Sequence, residues 1–177
     1  MEDVLMADAA TMTIDATILP DEISKTLTNL KYVYTPVDAT EGWYYKIVDV
    51  TTTSTDLIST ETFLQKGTTA AGVDTGSAMP AITTSDKVKF LFIKHTGTTD
   101  DGTTDNTADS VYLSTDAGTA AHNLKGAIEI GPSESWFGKL ANTTVADIHA
   151  ISGAKLGATV GGDKVQCIVA AVIDDVA

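Results

Sequence analysis

The sequence predicts an all-β chain, a jelly-roll-like β-sandwich of about 8–10 short antiparallel strands, and three observations lead there. Threonine supplies about a sixth of the 177 residues, and its branched Cβ fits a pleated sheet better than a helix. Apolar residues recur with a period of two in several short runs, as half-buried strands require. Between those runs lie clusters of Gly, Pro, Asp, Asn and Ser, which favour turns. Each strand must bury its apolar face against another layer, so many short strands imply two packed sheets or a closed barrel.

Taken in order, Met12, Ile14, Ala16 and Ile18 alternate with Thr13, Asp15 and Thr17 and predict the first strand. Residues 20–27 suit a single helical turn. Residues 30–34 and 43–50 are aromatic and β-branched and predict two more strands, with a Pro-, Asp- and Gly-containing loop at 36–42 between them. Residues 57–64 fit either a strand or a short helix ended by Gly67. The Gly-, Ala-, Thr- and Ser-rich residues 67–85 predict a long surface excursion, with an interdomain linker as the alternative.

Residues 87–95 predict a strand covered on both sides, with Val88, Phe90 and Phe92 on one face and Leu91 and Ile93 on the other. Short strands follow at 111–113, 127–130, 145–151 and 165–172. The expected division is an N-terminal arm or first strand at 1–25 and a single sandwich domain at 26–177. No repeat period supports a solenoid or propeller.

A net charge of −13 repels phosphates, so nucleic acid is not an expected partner. Lys87, Lys89 and Lys94 are the closest basic grouping, and they decorate one strand rather than forming a stripe. No apolar run approaches the roughly 20 residues of a membrane helix, so no membrane association is expected. The start Met1-Glu2-Asp3-Val4 is acidic where a secretory signal is basic, so export by that route is not expected. Cys167 is the sole cysteine and lies in an apolar run, where a buried thiol is the plain expectation.

Candidate reaction centres each fail at a definable point, and the chain is expected to be no enzyme, with no catalytic, cofactor-binding or metal residues assigned and no cofactor. Ser133 lies in Gly131-Pro132-Ser133-Glu134-Ser135, which lacks the second glycine of a nucleophile elbow and reads as a turn. Residues 157–164 resemble a phosphate loop, but Asp163 stands where lysine is needed. His95, His122 and His149 lack companions at zinc-ligand spacing. The acidic loop 99–109 offers oxygen ligands without the order of a calcium loop, so a solvated strand connection is preferred to a cation site. Asn142-Thr143-Thr144 matches a glycosylation sequon and is read as a turn. Trp43, Tyr44 and Tyr45 alternate between faces of a strand and cannot together line a sugar platform.

Three stretches carry a family resemblance. Phe90-Leu91-Phe92-Ile93-Lys94-His95-Thr96-Gly97, Val111-Tyr112-Leu113-Ser114-Thr115-Asp116-Ala117-Gly118 and Ile128-Glu129-Ile130-Gly131-Pro132-Ser133-Glu134-Ser135-Trp136-Phe137 are followed by the strand at 165–173. That order resembles β-sandwich virion proteins of tailed phages, over about half of the chain. Physically, Trp136 or Phe137 should anchor the core. The resemblance implies a head-decoration, or capsid-cement, protein that assembles in the host cytoplasm, binds the outside of the major capsid protein lattice and forms homo-oligomers, often trimers. The polar residues 1–11 would act as an arm. A tail- or fibre-associated module and a carbohydrate-binding sandwich are the competing expectations.

Overall fold

A computed structural model describes residues 10–18, 25–34, 40–60, 65–66, 81–116, 118–154 and 163–176. The strands are β1 (Ala10–Ile18), β2 (Lys25–Tyr34), β3 (Glu41–Val50), β4 (Thr55–Asp56), β5 (Gln65–Lys66), β6 (Lys87–His95), β7 (Asp109–Ser114), β8 (Ile128–Ile130), β9 (Ser135–Thr144), β10 (His149–Ala154) and β11 (Val165–Asp174). The only helical element among the described residues is a 3-10 turn at Val145–Asp147. No described helix is long and apolar enough to cross a membrane.

One sheet has the order β5-β3-β11-β6-β9 and the other β4-β10-β7-β8, while β1 and β2 form a separate hairpin. Setting aside β1, β2 and the two-residue β5, the pairings nest: β3 with β11, β4 with β10, β6 with β9 and β7 with β8, all antiparallel. Pairing of β11 with β6 and of β10 with β7 then closes each sheet. This is the wiring of an eight-stranded jelly roll, a long ribbon folded at the β7–β8 connection and rolled up. The predicted fold class is therefore the observed one.

Period-two burial builds the core. In β11, Val165, Cys167, Val169, Ala171 and Ile173 face the opposite sheet, where Val111, Leu113, Ile130 and Ala150 meet them in one buried cluster. Burial of each Val, Leu or Ile side chain contributes roughly 1.5–3 kcal/mol. Trp136 packs against that cluster, while Phe137 stands opposite Phe92 on the other face.

Several expectations need correction. Val88 does not share a face with Phe90 and Phe92: an extra residue, Lys89, interrupts the pairing of β6 with β11 between Val88 and Phe90, so Val88 joins Leu91 and Ile93 in the core. Such a bulge shifts the alternation by one. Residues 25–27 of the predicted helical turn lie in β2, and its residues 20–24 fall outside the described residues. Residues 57–60 form bends, neither helix nor strand, and 61–64 fall outside. Strand β9 was not predicted, and Asn142 lies within it rather than in a turn. Residues 145–147 are a 3-10 turn, so the strand predicted from 145 begins at His149. Residues 1–9, 67–80 and 157–162, which carry the predicted arm, most of the excursion and most of the phosphate-loop resemblance, lie outside the described residues.

The N-terminal hairpin meets the sandwich through Tyr34. Its ring stacks on Phe90 at 5.9 Å, its hydroxyl donates to Glu41 Oε1 at 3.0 Å, and the Lys139 ammonium lies 5.6 Å from the ring centre. Trp43 meets Phe90 edge-on. These aromatics cover one end of the outer face of the five-stranded sheet.

Candidate functional site

A cleft of about 280 Å³ opens where β4 and the bends after it approach the corner between β9 and β10. Threonine chemistry sets both walls. The turn leaving β3 is pinned by Thr51 and Thr55, with the Thr51 N–H donating to Thr55 Oγ1 at 3.1 Å and the Thr51 hydroxyl to the Thr53 carbonyl at 3.0 Å. Local hydroxyl–backbone bonds of this kind hold tight reversals, and this one carries the chain from one sheet to the other.

On the other wall, Asp86 accepts from the Thr83 N–H and hydroxyl, both at 2.8 Å. Its carbonyl accepts from Val145 N–H at 2.9 Å, and the Thr84 carbonyl accepts from Ala146 N–H at 3.1 Å. Asp147 accepts from the Thr144 N–H and hydroxyl at 2.9 and 2.7 Å. Those bonds hold its carboxyl below the usual carboxylate range.

His149 and Asp56 are directly opposed in the β10–β4 register, which puts their side chains on one face. His149 Nε2 lies 2.9 Å from Asp56 Oδ1; the imidazole side chain is 10% exposed and the carboxylate 76%. His149 Nδ1 is buried and has no hydrogen-bond partner among the described residues. Beside them, the Ser59 hydroxyl accepts from Lys46 Nζ at 3.1 Å and lies 3.4 Å from the Tyr44 hydroxyl. The apolar base of the cleft is Ile58 and Val145, both continuous with the core.

The other histidines serve the fold. His95 is fully buried at the end of β6; its Nδ1 accepts from the Gly97 N–H at 2.9 Å. That acceptor role leaves the proton on Nε2, which donates to the Asp109 carbonyl at 3.2 Å. Burial lowers its pKa, against the opposing effect of Asp109 and Glu134. Gly97 is required here: its φ is +87°, and a Cβ would lie 2.6 Å from Ser133 Oγ. His122 meets Tyr112 edge-on.

The acidic loop is closed by its own bonds. Asp101 accepts from the hydroxyls of Thr99 and Thr104 and the N–H groups of Thr103 and Thr104, which hold its carboxyl far below the usual range. Asp100 pairs with Lys164 at 3.0 Å, and Asp109 accepts from Asn106 Nδ2 and Asp163 N–H. Among the described residues no three His, Cys, Asp or Glu side chains converge as metal ligands would. Ser133 sits in a turn at φ +65°. Cys167 is buried, and burial pushes its thiol up to about 12.

Of the residues singled out from sequence, only His149 lines the cleft. Asp56, Ser59 and Thr84 carried no local signal, because a two-residue strand far away in sequence brings Asp56 to His149. Tyr44 and Tyr45 face opposite ways as alternation requires: Tyr44 is buried with its hydroxyl near the Leu57 carbonyl, and Tyr45 is exposed.

A second feature lies on the outer face of the five-stranded sheet. Tyr45 and Ile47 are 48% and 51% exposed. Tyr45, Ala170 and Phe92 are opposed across three strands, and Ile47 is opposed to Ile168, so registered pairing puts them in one apolar band. Comparison of the chain with family models, with curated proteins and with solved structures finds no match.

Proposed function

We propose that the chain is a virion structural protein without enzymatic activity, a head-decoration protein that binds the outside of a tailed phage's major capsid protein lattice and stabilises it. The observation that carries this reading is the apolar band in which exposed Tyr45 and Ile47 adjoin half-buried Ile168 and Phe92. Contiguous apolar patches on a chain of net charge −13 mark docking sites, and a rigid sheet face docks without paying to order a loop. Jelly-roll sandwiches recur in viral shells and lectins, and the acidic balance suits a particle's outer surface and keeps free copies apart. A homo-oligomer, with a trimer favoured, assembling in the host cytoplasm completes the proposal.

Co-sedimentation of the purified protein with mature heads tests it. The expected result is saturable binding at a stoichiometry set by the capsid lattice, with raised thermal stability of the heads. Binding to isolated tails and not to heads would favour the tail-module alternative and overturn the head assignment.

A further inference from the structure

We propose that the cleft beside β4 binds a small, uncharged, polyhydroxylated ligand of monosaccharide size, with the Asp56 carboxylate as its principal acceptor. This site lies apart from the apolar band and stands independently of the capsid reading. Asp56 is exposed, yet one of its oxygens is held by a nearly buried imidazole. The result is a fixed, charged acceptor facing open space, and hydrogen bonds from hydroxyls to a carboxylate are strong and directional.

The surroundings match the same ligand class. Ser59, Thr60 and Thr84 bring hydroxyls to the rim, and each hydroxyl both donates and accepts. Lys46 Nζ donates to Ser59 Oγ and the Tyr44 hydroxyl lies 3.4 Å from it, so the Ser59 hydroxyl is held in place at the rim. Ile58 and Val145 offer an apolar base for the C–H face of a ring. A volume of about 280 Å³ lies near the lower end of small-molecule sites, which suits one sugar unit. His149 Nδ1, buried and without a hydrogen-bond partner among the described residues, is a second mark of an incomplete polar site, since buried polar groups ordinarily have partners.

Other ligand classes fit less well. An anion would meet Asp56, with Asp147 close enough for its charge to interact with His149, on a chain of net charge −13. A transition-metal or calcium site needs more than one carboxylate and one imidazole.

The test is a titration of the folded full-length protein, followed by backbone amide NMR, with neutral monosaccharides (glucose, galactose, mannose and N-acetylglucosamine), with glucuronate and with calcium chloride. At least one neutral sugar should shift the amides of Asp56, Ser59, Thr60, Thr84 and His149 together. Asp56→Asn should weaken that binding about tenfold, as expected for loss of one charge-assisted hydrogen bond. Thr84→Phe, an exposed position whose backbone contacts are retained, should fill the cleft and abolish binding while leaving the amide spectrum outside the cleft and the thermal unfolding midpoint unchanged; Thr60→Phe gives a second cleft-filling variant should the first fail to fold. Silence with every neutral sugar, shifts that survive both filling variants, or tighter binding of glucuronate or calcium than of any neutral sugar would each overturn the proposal.

Discussion

The two outer faces of the sandwich end differently. On the β4-β10-β7-β8 sheet, Ser110, Tyr112 and Ser114 point outward and are nonetheless buried, because Ala120 from the crossing segment packs with Tyr112 and Ile151. Polar atoms there are satisfied: the Tyr112 hydroxyl donates to the Ala154 carbonyl at 2.8 Å, and the Ser110 hydroxyl donates to Glu129 at 2.8 Å. On the five-stranded sheet, aromatic packing from the N-terminal hairpin reaches Phe90, which is 4% exposed, while Tyr45 and Ile47 stay half in water. A face closed by its own chain is part of the stability of the fold, whereas an apolar face left open costs solubility and needs another explanation.

That contrast can be sharpened by substitution, beginning where the effect is greatest. Leu91 lies wholly inside the sandwich, and Leu91→Ala should lower unfolding free energy by about 2–5 kcal/mol in urea denaturation. Tyr112→Phe on the closed face keeps the ring and removes one hydroxyl; a loss of roughly 1–2 kcal/mol by the same measurement is expected, because the Ala154 carbonyl loses its donor.

Stability also depends on pH through the buried imidazole at the end of β6. Burial lowers the folded-state pKa of His95 from its ordinary 6.5, so the unfolded chain takes up a proton there before the folded protein does. Its stabilising contribution is present above pH 6.5 and is lost as pH falls from 6.5 through the lowered folded value. Stability measured across that interval should fall more steeply for the wild type than for His95→Gln.

The smallest stability effect belongs to the open face. Ile47→Glu should change unfolding free energy by less than about 1 kcal/mol, yet it should abolish co-sedimentation with heads. A large loss of stability would mean that the face is structural after all and would remove the contrast.

Strand existence was legible where alternation is strong and uninterrupted. The runs at 43–50, 87–95 and 165–172 needed only side-chain period, since one face of each is buried by the partner sheet; the run at 12–18 pairs with β2 as an antiparallel hairpin. What escaped had physical causes. Strand β9 contains Gly138, Lys139, Asn142 and Thr143 at the edge of its sheet among the described strands; only Trp136 and Leu140 join the core packing, so its apolar signal is thin. The bulge at Lys89 reverses facing within an otherwise regular run, which composition does not reveal. Val145 and Ala146 look like the start of the apolar strand that follows, but the Thr144–Asp147 bonds curl residues 145–147 into a 3-10 turn. The cleft was invisible for a deeper reason: Asp56 and His149 meet only through the β4–β10 pairing, and topology is what a single sequence encodes least directly.

Hydroxyl-radical footprinting of the protein free and bound to mature heads reads both outer faces at once and so decides which of them docks. Tyr45 and Ile47 should be modified readily in the free protein and protected on heads, while Tyr112 should stay unreactive in both states. Unchanged modification of Tyr45 and Ile47 on saturated heads, with protection appearing elsewhere, would contradict the assignment of the five-stranded face as the docking surface.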